Sequence, residues 1–502
     1  MRGLYLNMTR FGKTISNDMK DESLKDKTAK GLFWGGVSNG VQQLLNLLFG
    51  LVLARILNAA DYGMVGMLAI FSAIASTIQE SGFTAALTNR REVRHEDYNA
   101  VFWFSSLTGL VFYCLLFLLA PLIADFYGKP ELVLLSRILF LGFLLGGIGI
   151  APNAFLFKNL MVKERAKIDI ISLLSSGTIG IALALNGFAY YGLAVQTTTY
   201  IGVGALLKFF YSPWKPTWSF SIIPLREMIT FSSKLILVNI TTQVGNNIFS
   251  VILGKFYNER QVGYYTQGNK WMGMGYSQIL GMITNVAQPV FSQVRDEPER
   301  AVHVLRKMFR FGAFLSFPLL LGLAFVAKEF IVLAVGEKWL PSVPFLQLFC
   351  IWGAFGFMSY LYTNVLIAFG KSTIYLTGNV IVLACQLIAV LLFSYWGIYY
   401  MVIAYVCVNL LTLLLWHKFV SVLINITVSQ IFRDICPYLA VSILSCLIAW
   451  SSGNLLVMGN ISTFVYKIVV FAFVYIGILW ACGSVLLKDS VNFLLKRKKD
   501  GI

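Results

Sequence analysis

Residues 53–63 read LARILNAADYG, and residues 253–263 read LGKFYNERQVG. Each segment ends an apolar run with a basic residue, Arg55 or Lys255, then turns through Asn58 or Asn258 to Gly63 or Gly263. The same 200-residue offset carries Asn39 onto Asn239, Gln43 onto Gln243, Asn46 onto Asn246, Phe49 onto Phe249 and Leu53 onto Leu253. An ungapped set of identities at one offset is the mark of an internal repeat. The chain uses one helix end and one turn twice.

Working outward, apolar runs long enough to cross a bilayer (roughly 20 residues) fall near 31–57, 62–87, 99–124, 132–156, 168–187, 190–210, 227–254, 266–292, 304–327, 340–369, 372–395, 398–418, 435–457 and 461–487. The two repeat copies stand six spans apart. An even separation gives both the same orientation, so the repeat is parallel, about an axis along the membrane normal. The expected fold is an all-α integral membrane protein of about fourteen transmembrane helices, with two six-helix lobes and two extra C-terminal helices. The expected divisions are a basic tail over 1–30, a first lobe over 31–210, a linker over 211–226, a second lobe over 227–418, two added helices over 419–487 and a basic tail over 488–502.

Composition agrees. Of the 502 residues 58% are hydrophobic and 13% charged, against about 45–50% and about 25% in soluble domains. The net charge of +17 would suggest nucleic acid in a soluble chain. Here it follows the positive-inside rule instead, with about 30 Lys and Arg on the side of the N-terminus and about 6 on the other. Both termini are therefore expected in the cytoplasm, and no nucleic-acid partner is implied. The first thirty residues have no apolar core of a signal peptide.

Polar groups in hydrocarbon are costly and usually face a bundle interior or a wet cavity. Asn39, Gln43 and Asn46 form one stripe at i, i+4 and i+7. Asn239, Gln243 and Asn246 repeat it. Such amides either bond neighbouring helices together or line a pathway where they donate to and accept from sugar hydroxyls. Lys270, Gln278 and Asn285 share one later span, and Glu80 and Lys234 are the charges least able to reach an interface. These eleven residues are the candidate substrate cavity, with Glu80 and Lys234 paired across it, acting as a coupling site or forming a buried structural pair. Arg55, Arg137 and Lys467 lie near span ends and are expected to snorkel.

Other chemistry is absent from the pattern. Gly370-Lys371-Ser372 lacks the upstream glycine of a P-loop, since Val365 occupies that place. The three histidines are scattered, and the seven cysteines form no Cys-x-x-Cys pair. No metal and no cofactor are expected. Gly36-x-x-x-Gly40 and Gly142-x-x-x-Gly146 fit close helix packing.

Several pieces in order carry a family resemblance: KTAKGLFWGG at 27–36, LARILNAADYG at 53–63, SGFTAALTNRREVRHEDYNAVFW at 81–103 and LFKNLMVKERAKIDIIS at 156–172. They resemble the polysaccharide transporter family, the Wzx-type lipid-linked oligosaccharide flippases of the MOP superfamily, and particularly its colanic-acid and teichuronic-acid exporter-like branch. The resemblance implies a MATE-like fold and a multi-pass protein of the bacterial inner membrane. It also implies alternating-access export of polyprenyl-diphosphate-linked repeat units for lipopolysaccharide, capsule or exopolysaccharide. A proton or sodium gradient would be the drive and glycan-assembly enzymes the neighbours. Two other readings stand beside it: a MATE-like multidrug or toxin exporter, and a membrane polysaccharide polymerase or ligase. The short outer loops lack the clustered catalytic residues that the last would need.

Overall fold

The computed structural model describes residues 24–80, 82–90, 92–219, 221–453 and 459–488, and these are helical with no strand among them. The helices up to the second repeat are α1 Leu24–Ile56, α2 Ala59–Glu80, α3 Phe83–Asn89, α4 His95–Tyr127, α5 Leu132–Lys158, α6 Val162–Leu185, α7 Ala189–Tyr211, α8 Ile223–Phe256 and α9 Glu259–Gln293. They are followed by α10 Pro298–Ser316, α11 Gly322–Phe325, α12 Ala327–Ala334, α13 Val343–Ala368, α14 Ser372–Phe393, α15 Ile398–Ile424, α16 Val428–Gly453 and α17 Asn460–Ala481. Twelve helical stretches of the described residues are long and apolar enough to cross a membrane. Helices α8 and α9, of 34 and 35 residues, are at about 1.5 Å per residue also long enough. The amides and glycines of α9 make it less apolar than the twelve. Together α8, α9 and the twelve fill the fourteen places. The Lys496–Lys499 cluster and residues 1–23 lie outside the described residues.

The repeated turn breaks each helix pair at the same place, after Ile56 and Phe256, with restarts at Ala59 and Glu259. Its two copies use opposite halves of one capping box. In the first, the Asn58 backbone N–H donates to the Asp61 carboxylate at 2.8 Å. In the second, the Gln261 backbone N–H donates to the Asn258 side-chain oxygen at 2.9 Å. Either bond satisfies one amide that a helix start leaves unpaired.

The chain divides into two compact units, residues 1–255 and 256–502. This differs from the division at 211–226 that the repeat suggests, and the reason lies at both ends of α8. Leu225 and Met228 join a buried cluster with Phe83, Tyr98, Phe102 and Trp214. At the other end the Lys255 ammonium donates to the Phe126 carbonyl at 2.6 Å. By sequence α8 opens the second copy, yet it is packed at both ends on the first unit. The linker before it is built in as well: Asn99 accepts from the Thr217 amide at 2.9 Å, and the Trp103 indole donates to the Thr217 carbonyl at 2.8 Å.

One expected span, 62–87, is two helices. Gly82 sits at φ +66° and separates α2 from α3, a conformation most side chains resist. Within the first unit α4, α5 and α7 pack closely through glycines. A Cβ on Gly142 would lie 2.9 Å from Ile201, so the second GxxxG pattern does serve packing. Gly36 and Gly40 have nothing within 4 Å among the described residues. Gln79, beside Glu80 at the end of α2, is buried and donates to the Phe143 carbonyl at 2.7 Å. It occupies the room left by Gly109 and Gly147.

In the second unit, α16 and α17 are fastened to α10 and α12 by ion pairs. Asp434 on α16 accepts from Arg306 at 2.6 and 3.2 Å, with Arg310 at 3.6 Å. Lys467 on α17 pairs with Glu329 at 2.6 Å, both side chains about 15% exposed, so Lys467 does not snorkel as expected. Glu329 is available there because the helix continuing α10 breaks: Phe317–Leu321 forms a π turn containing Pro318, and the chain turns again at Val326 before α12. A proline within a helix removes a backbone donor and loosens the ladder.

Asp434→Ala would leave two arginines facing a vacated, buried position. It is expected to lower stability by about 2 kcal/mol, the scale of hydrogen bonds to a charged group, read as a lower unfolding midpoint of the detergent-solubilised protein. Gly109→Ala would set a methyl 2.5 Å from the Phe143 carbonyl oxygen. By the same measurement it should cost about 1–3 kcal/mol, as overpacking does.

Candidate functional site

Helix α1 has three faces. Ser38, Gln42 and Phe49 turn toward α6, where a Cβ on Gly177 would meet the Phe49 ring at 2.5 Å. Leu44 and Leu48, 62% and 55% exposed, occupy a second face. Asn39 and Asn46, also exposed with Gln43 half-buried between them, occupy a third. At 100° per residue the amide stripe stands nearly opposite the leucines. In a membrane an apolar exposed face is satisfied by lipid and an amide face by water or a polar ligand.

The second copy repeats the amide stripe, though Val244 and Ile248, at the places of Leu44 and Leu48, are half-buried. Asn239 and Asn246 are exposed and Gln243 is half-buried, while Leu237 is exposed on the opposite side of α8. Leu53 and Leu253 are buried in both, and Asn58 and Asn258 exposed in both. The two stripes thus share one exposure pattern, which interhelical packing of buried amides would not produce.

Beside the first stripe lies a cavity of about 260 Å³ within the first unit, walled by α2, α3, α5, α6 and α7. Three charged side chains reach it: Glu80 from the end of α2, Asp169 from α6 and Lys208 from α7. Tyr200, Asn153, Thr84 and Ser172 supply further polar groups. Gln42 links it to α1, its amide donating to Ser38 at 2.8 Å and reaching the Asp169 carboxylate at 3.5 Å. Arg165, one turn before Asp169 on α6, stacks on Phe157 at 4.8 Å and adds its charge to the field at Asp169. Gly142, Gly146, Gly149 and Gly204 form much of the wall, where a Cβ would press on Ile201, Ala205 or Ser172.

Of the eleven candidates, six lie on the two amide stripes and one, Glu80, lines this cavity. Glu80's charged neighbour there is Lys208. The side chains of Lys234 and Asn285 lie outside the described residues, so the expected pair of Glu80 with Lys234 does too. On α9, Gln278 is exposed, and Lys270 is half-buried with its ammonium 5.5 Å from the Trp271 ring. Neither joins the cavity, which lies wholly in the first unit. Asp169 and Lys208 were not among the candidates, because both sit near the ends of apolar runs where a charge reads as interfacial. A usable signal was present: Asp169 lies four residues after Arg165, on one helical face, and deeper into the apolar run than Glu164, the other acid near the start of that span.

A helical bundle of membrane length, with exposed amide stripes and an acid–base cavity in its first unit, is a multi-pass membrane protein. The polysaccharide biosynthesis protein family matches it over residues 52–344, more than half of the chain, and the chain belongs to that family. It is 26% identical over 355 residues to the teichuronic acid biosynthesis protein TuaB of Bacillus subtilis, covering 70% of this chain and 73% of that one. It is 25% identical over 339 residues to the lipopolysaccharide biosynthesis protein WzxC of Escherichia coli, covering 66% and 68%. With the succinoglycan biosynthesis transport protein ExoT of Rhizobium meliloti it shares 24% over 304 residues, covering 60% and 61%. The lipid II flippase MurJ in an inward closed conformation has the same fold, with a TM-score of 0.71 at 14% identity over 91% of this chain and 99% of that one. An inward-facing multidrug resistance MATE family transporter of the MOP superfamily matches at 0.63 and 16% identity, over 76% and 95%.

Cysteines placed at Asn39, Asn46, Asn239 and Asn246 should react with a charged, water-borne maleimide above the background of the native cysteines. Cysteines at Leu44 and Leu48, as exposed but lipid-facing, should not. Equal labelling of both sets, read by mass shift, would remove the assignment of faces.

Proposed function

We propose that this chain is a transporter, not an enzyme, that moves oligosaccharide repeat units linked to a polyprenyl diphosphate across the bacterial inner membrane by alternating access. The observation that carries the reading is the pair of matched amide stripes, each exposed and each backed by an apolar face. Amides both donate and accept, so they suit a hydroxyl-rich glycan of no fixed charge, while the apolar faces keep contact with lipid and with the prenyl tail. The similar proteins support the substrate class: three of them are named for three different polymers. The MurJ-like fold supports movement of a lipid-linked headgroup.

The Lys and Arg bias orients the protein with both termini in the cytoplasm. The acid–base cavity, close to the loops at 90–94, 158–162 and 211–219, then opens toward the side where repeat units are made. A proton or sodium ion is the proposed drive, and glycan-assembly enzymes the proposed suppliers. Glu80 and Asp169 favour a second reading, export of cationic drugs, because carboxylates attract cations.

Deleting the gene separates the two. Lipid-linked repeat units are expected to accumulate on the cytoplasmic leaflet, inaccessible to an impermeant glycan-modifying enzyme, with drug susceptibility unchanged. Restored access with the intact gene, but not with a Glu80→Gln variant made at equal level, would tie transport to the cavity. Normal leaflet distribution in a strain with no second flippase would overturn the main reading, and raised susceptibility to cationic drugs would put the exporter in its place.

A further inference from the structure

The linker between α7 and α8 has no helix among its described residues from 212 to 222, yet one face of α4 grips it. The Asn99 side chain accepts from the Thr217 amide at 2.9 Å and donates to the Ser219 carbonyl. The Trp103 indole donates to the Thr217 carbonyl at 2.8 Å. The Trp214 indole donates to His95 Nδ1 at 3.1 Å. His95, Asn99 and Trp103 stand at i, i+4 and i+8 on α4, inside the 81–103 stretch that carries the family resemblance. A loop in water can leave its backbone groups to the solvent. Non-helical backbone at membrane depth cannot, and must be satisfied within the protein.

Trp103 fixes the depth. It lies four residues inside the span expected from 99, about 6 Å along the helix axis. Its ring stacks on Trp218 with centroids 5.0 Å apart, so Trp218 shares that depth. Leu107, Val111, Leu118 and Leu122 follow Trp103 on the same side of α4, all exposed, as a stripe that meets lipid. Trp218 itself is 92% exposed and covers the end of that stripe. The other end of the linker is similar. Ile223, exposed at the start of α8, stands fourteen residues before the exposed Leu237, about 40° away around the helix, and Ile222 beside it is exposed too.

We propose that the linker between the two repeat copies is sunk into the cytoplasmic leaflet as an in-plane anchor, with Trp218, Ile222 and Ile223 among the lipid headgroups and upper acyl chains. Asn99 and Trp103 make this possible, because they satisfy the Thr217 and Ser219 backbone where water is scarce. Tryptophan is a favoured side chain at that level of a bilayer, with an apolar ring and one polar N–H. A soluble protein partner would need a patch that stands clear of the membrane, and both ends of this one run on into lipid-facing stripes. The length of chain that leads from one copy into the next is thereby held to the leaflet, and lipid as well as protein sets where α8 enters the bilayer. The inference uses the orientation proposed above and is independent of which substrate is carried.

The test replaces Trp218 or Ile223, one at a time in the full-length chain, with the photoreactive residue benzoylphenylalanine. Inverted inner-membrane vesicles from the expressing cells hold both phospholipid and native proteins. After irradiation, mass spectrometry of the digested chain identifies what each position has captured. Leu118, on the lipid-facing stripe of α4, serves as the lipid reference, and Asp296, exposed in the turn between α9 and α10, as the reference for water. At 218 and 223 the expected product is an adduct of one phospholipid, with a yield like that at 118 and well above that at 296. Asn99→Ala, which takes the side-chain partner from the Thr217 amide and the Ser219 carbonyl, should lose most of the adduct at 218. An unchanged yield at 118 in the same variant shows that the chain is still folded and inserted. Capture of a second polypeptide at 218, or phospholipid capture there no higher than at 296, would overturn the inference. Full capture at 218 in the Asn99→Ala variant would overturn the role given to that side chain. The flippase reading is untouched by any of these outcomes and stands or falls on the leaflet assay.

Discussion

An unpartnered amide in hydrocarbon costs several kcal/mol, and that constraint governs how α1 and α8 are read. Each carries exposed leucine on one side and exposed asparagine on the other. A soluble helix could show both faces to water, and a buried one could hide both. A membrane helix that shows both must stand between two solvents. The proposed polar pathway rests on the angular separation of Asn39 and Asn46 from Leu44 and Leu48. The close packing elsewhere serves the same end. Gln79 is taken up by a backbone carbonyl, and Ser105 donates to the Gly147 carbonyl at 2.8 Å, so these two buried polar groups are satisfied internally.

The repeat preserves this scaffold while its chemistry has parted. The two turns cap their second helices with opposite halves of one motif, which shows that the geometry of the break is held and the residues that make it are free to change. Beyond the turn the copies differ where function would. The 200-residue offset sets Glu80 against Leu280 and Gln79 against Ile279. It sets Met67 against Gln267, whose buried amide has no hydrogen-bond partner among the described residues. The first unit holds an acid–base cavity, and the second has its own polar residues a full three turns earlier along the equivalent helix. A symmetric scaffold with asymmetric charges is what a cycle with distinct loading and release steps requires.

Hydropathy made the number and order of the helices legible, including the division of 168–210 into α6 and α7, because lipid imposes a length and a composition together. The break at Gly82 was hidden, since a seven-residue helix such as α3 continues the apolar pattern of α2 without interruption. The stripes were legible as periodicity, but whether they bonded helices or faced a cavity depended on their angle to the leucines and on what α6 covers. Asp169 and Lys208 were missed because a charge near a span end has a ready destination at the interface. Only the fold shows that both side chains reach the wall of the cavity. Lys467 failed in the same way: Glu329 reaches it only because the chain breaks at Val326, and that break has no hydropathy signature.

The size of the cavity bears on how one family could serve several polymers. The family match over 52–344 contains every residue that lines it, from Ser76 to Lys208, and the relatives are named for teichuronic acid, lipopolysaccharide and succinoglycan. On the proposed reading those substrates share a charged diphosphate end and differ in the glycan. A cavity of about 260 Å³ is below the roughly 300–1,000 Å³ that encloses a drug-sized ligand, which on that reading leaves the glycan to the stripes. Amide stripes discriminate weakly among sugars, because each hydroxyl offers both a donor and an acceptor. Tolerance would then reside in the stripes, and a change of polymer would ask for little change along α1 and α8.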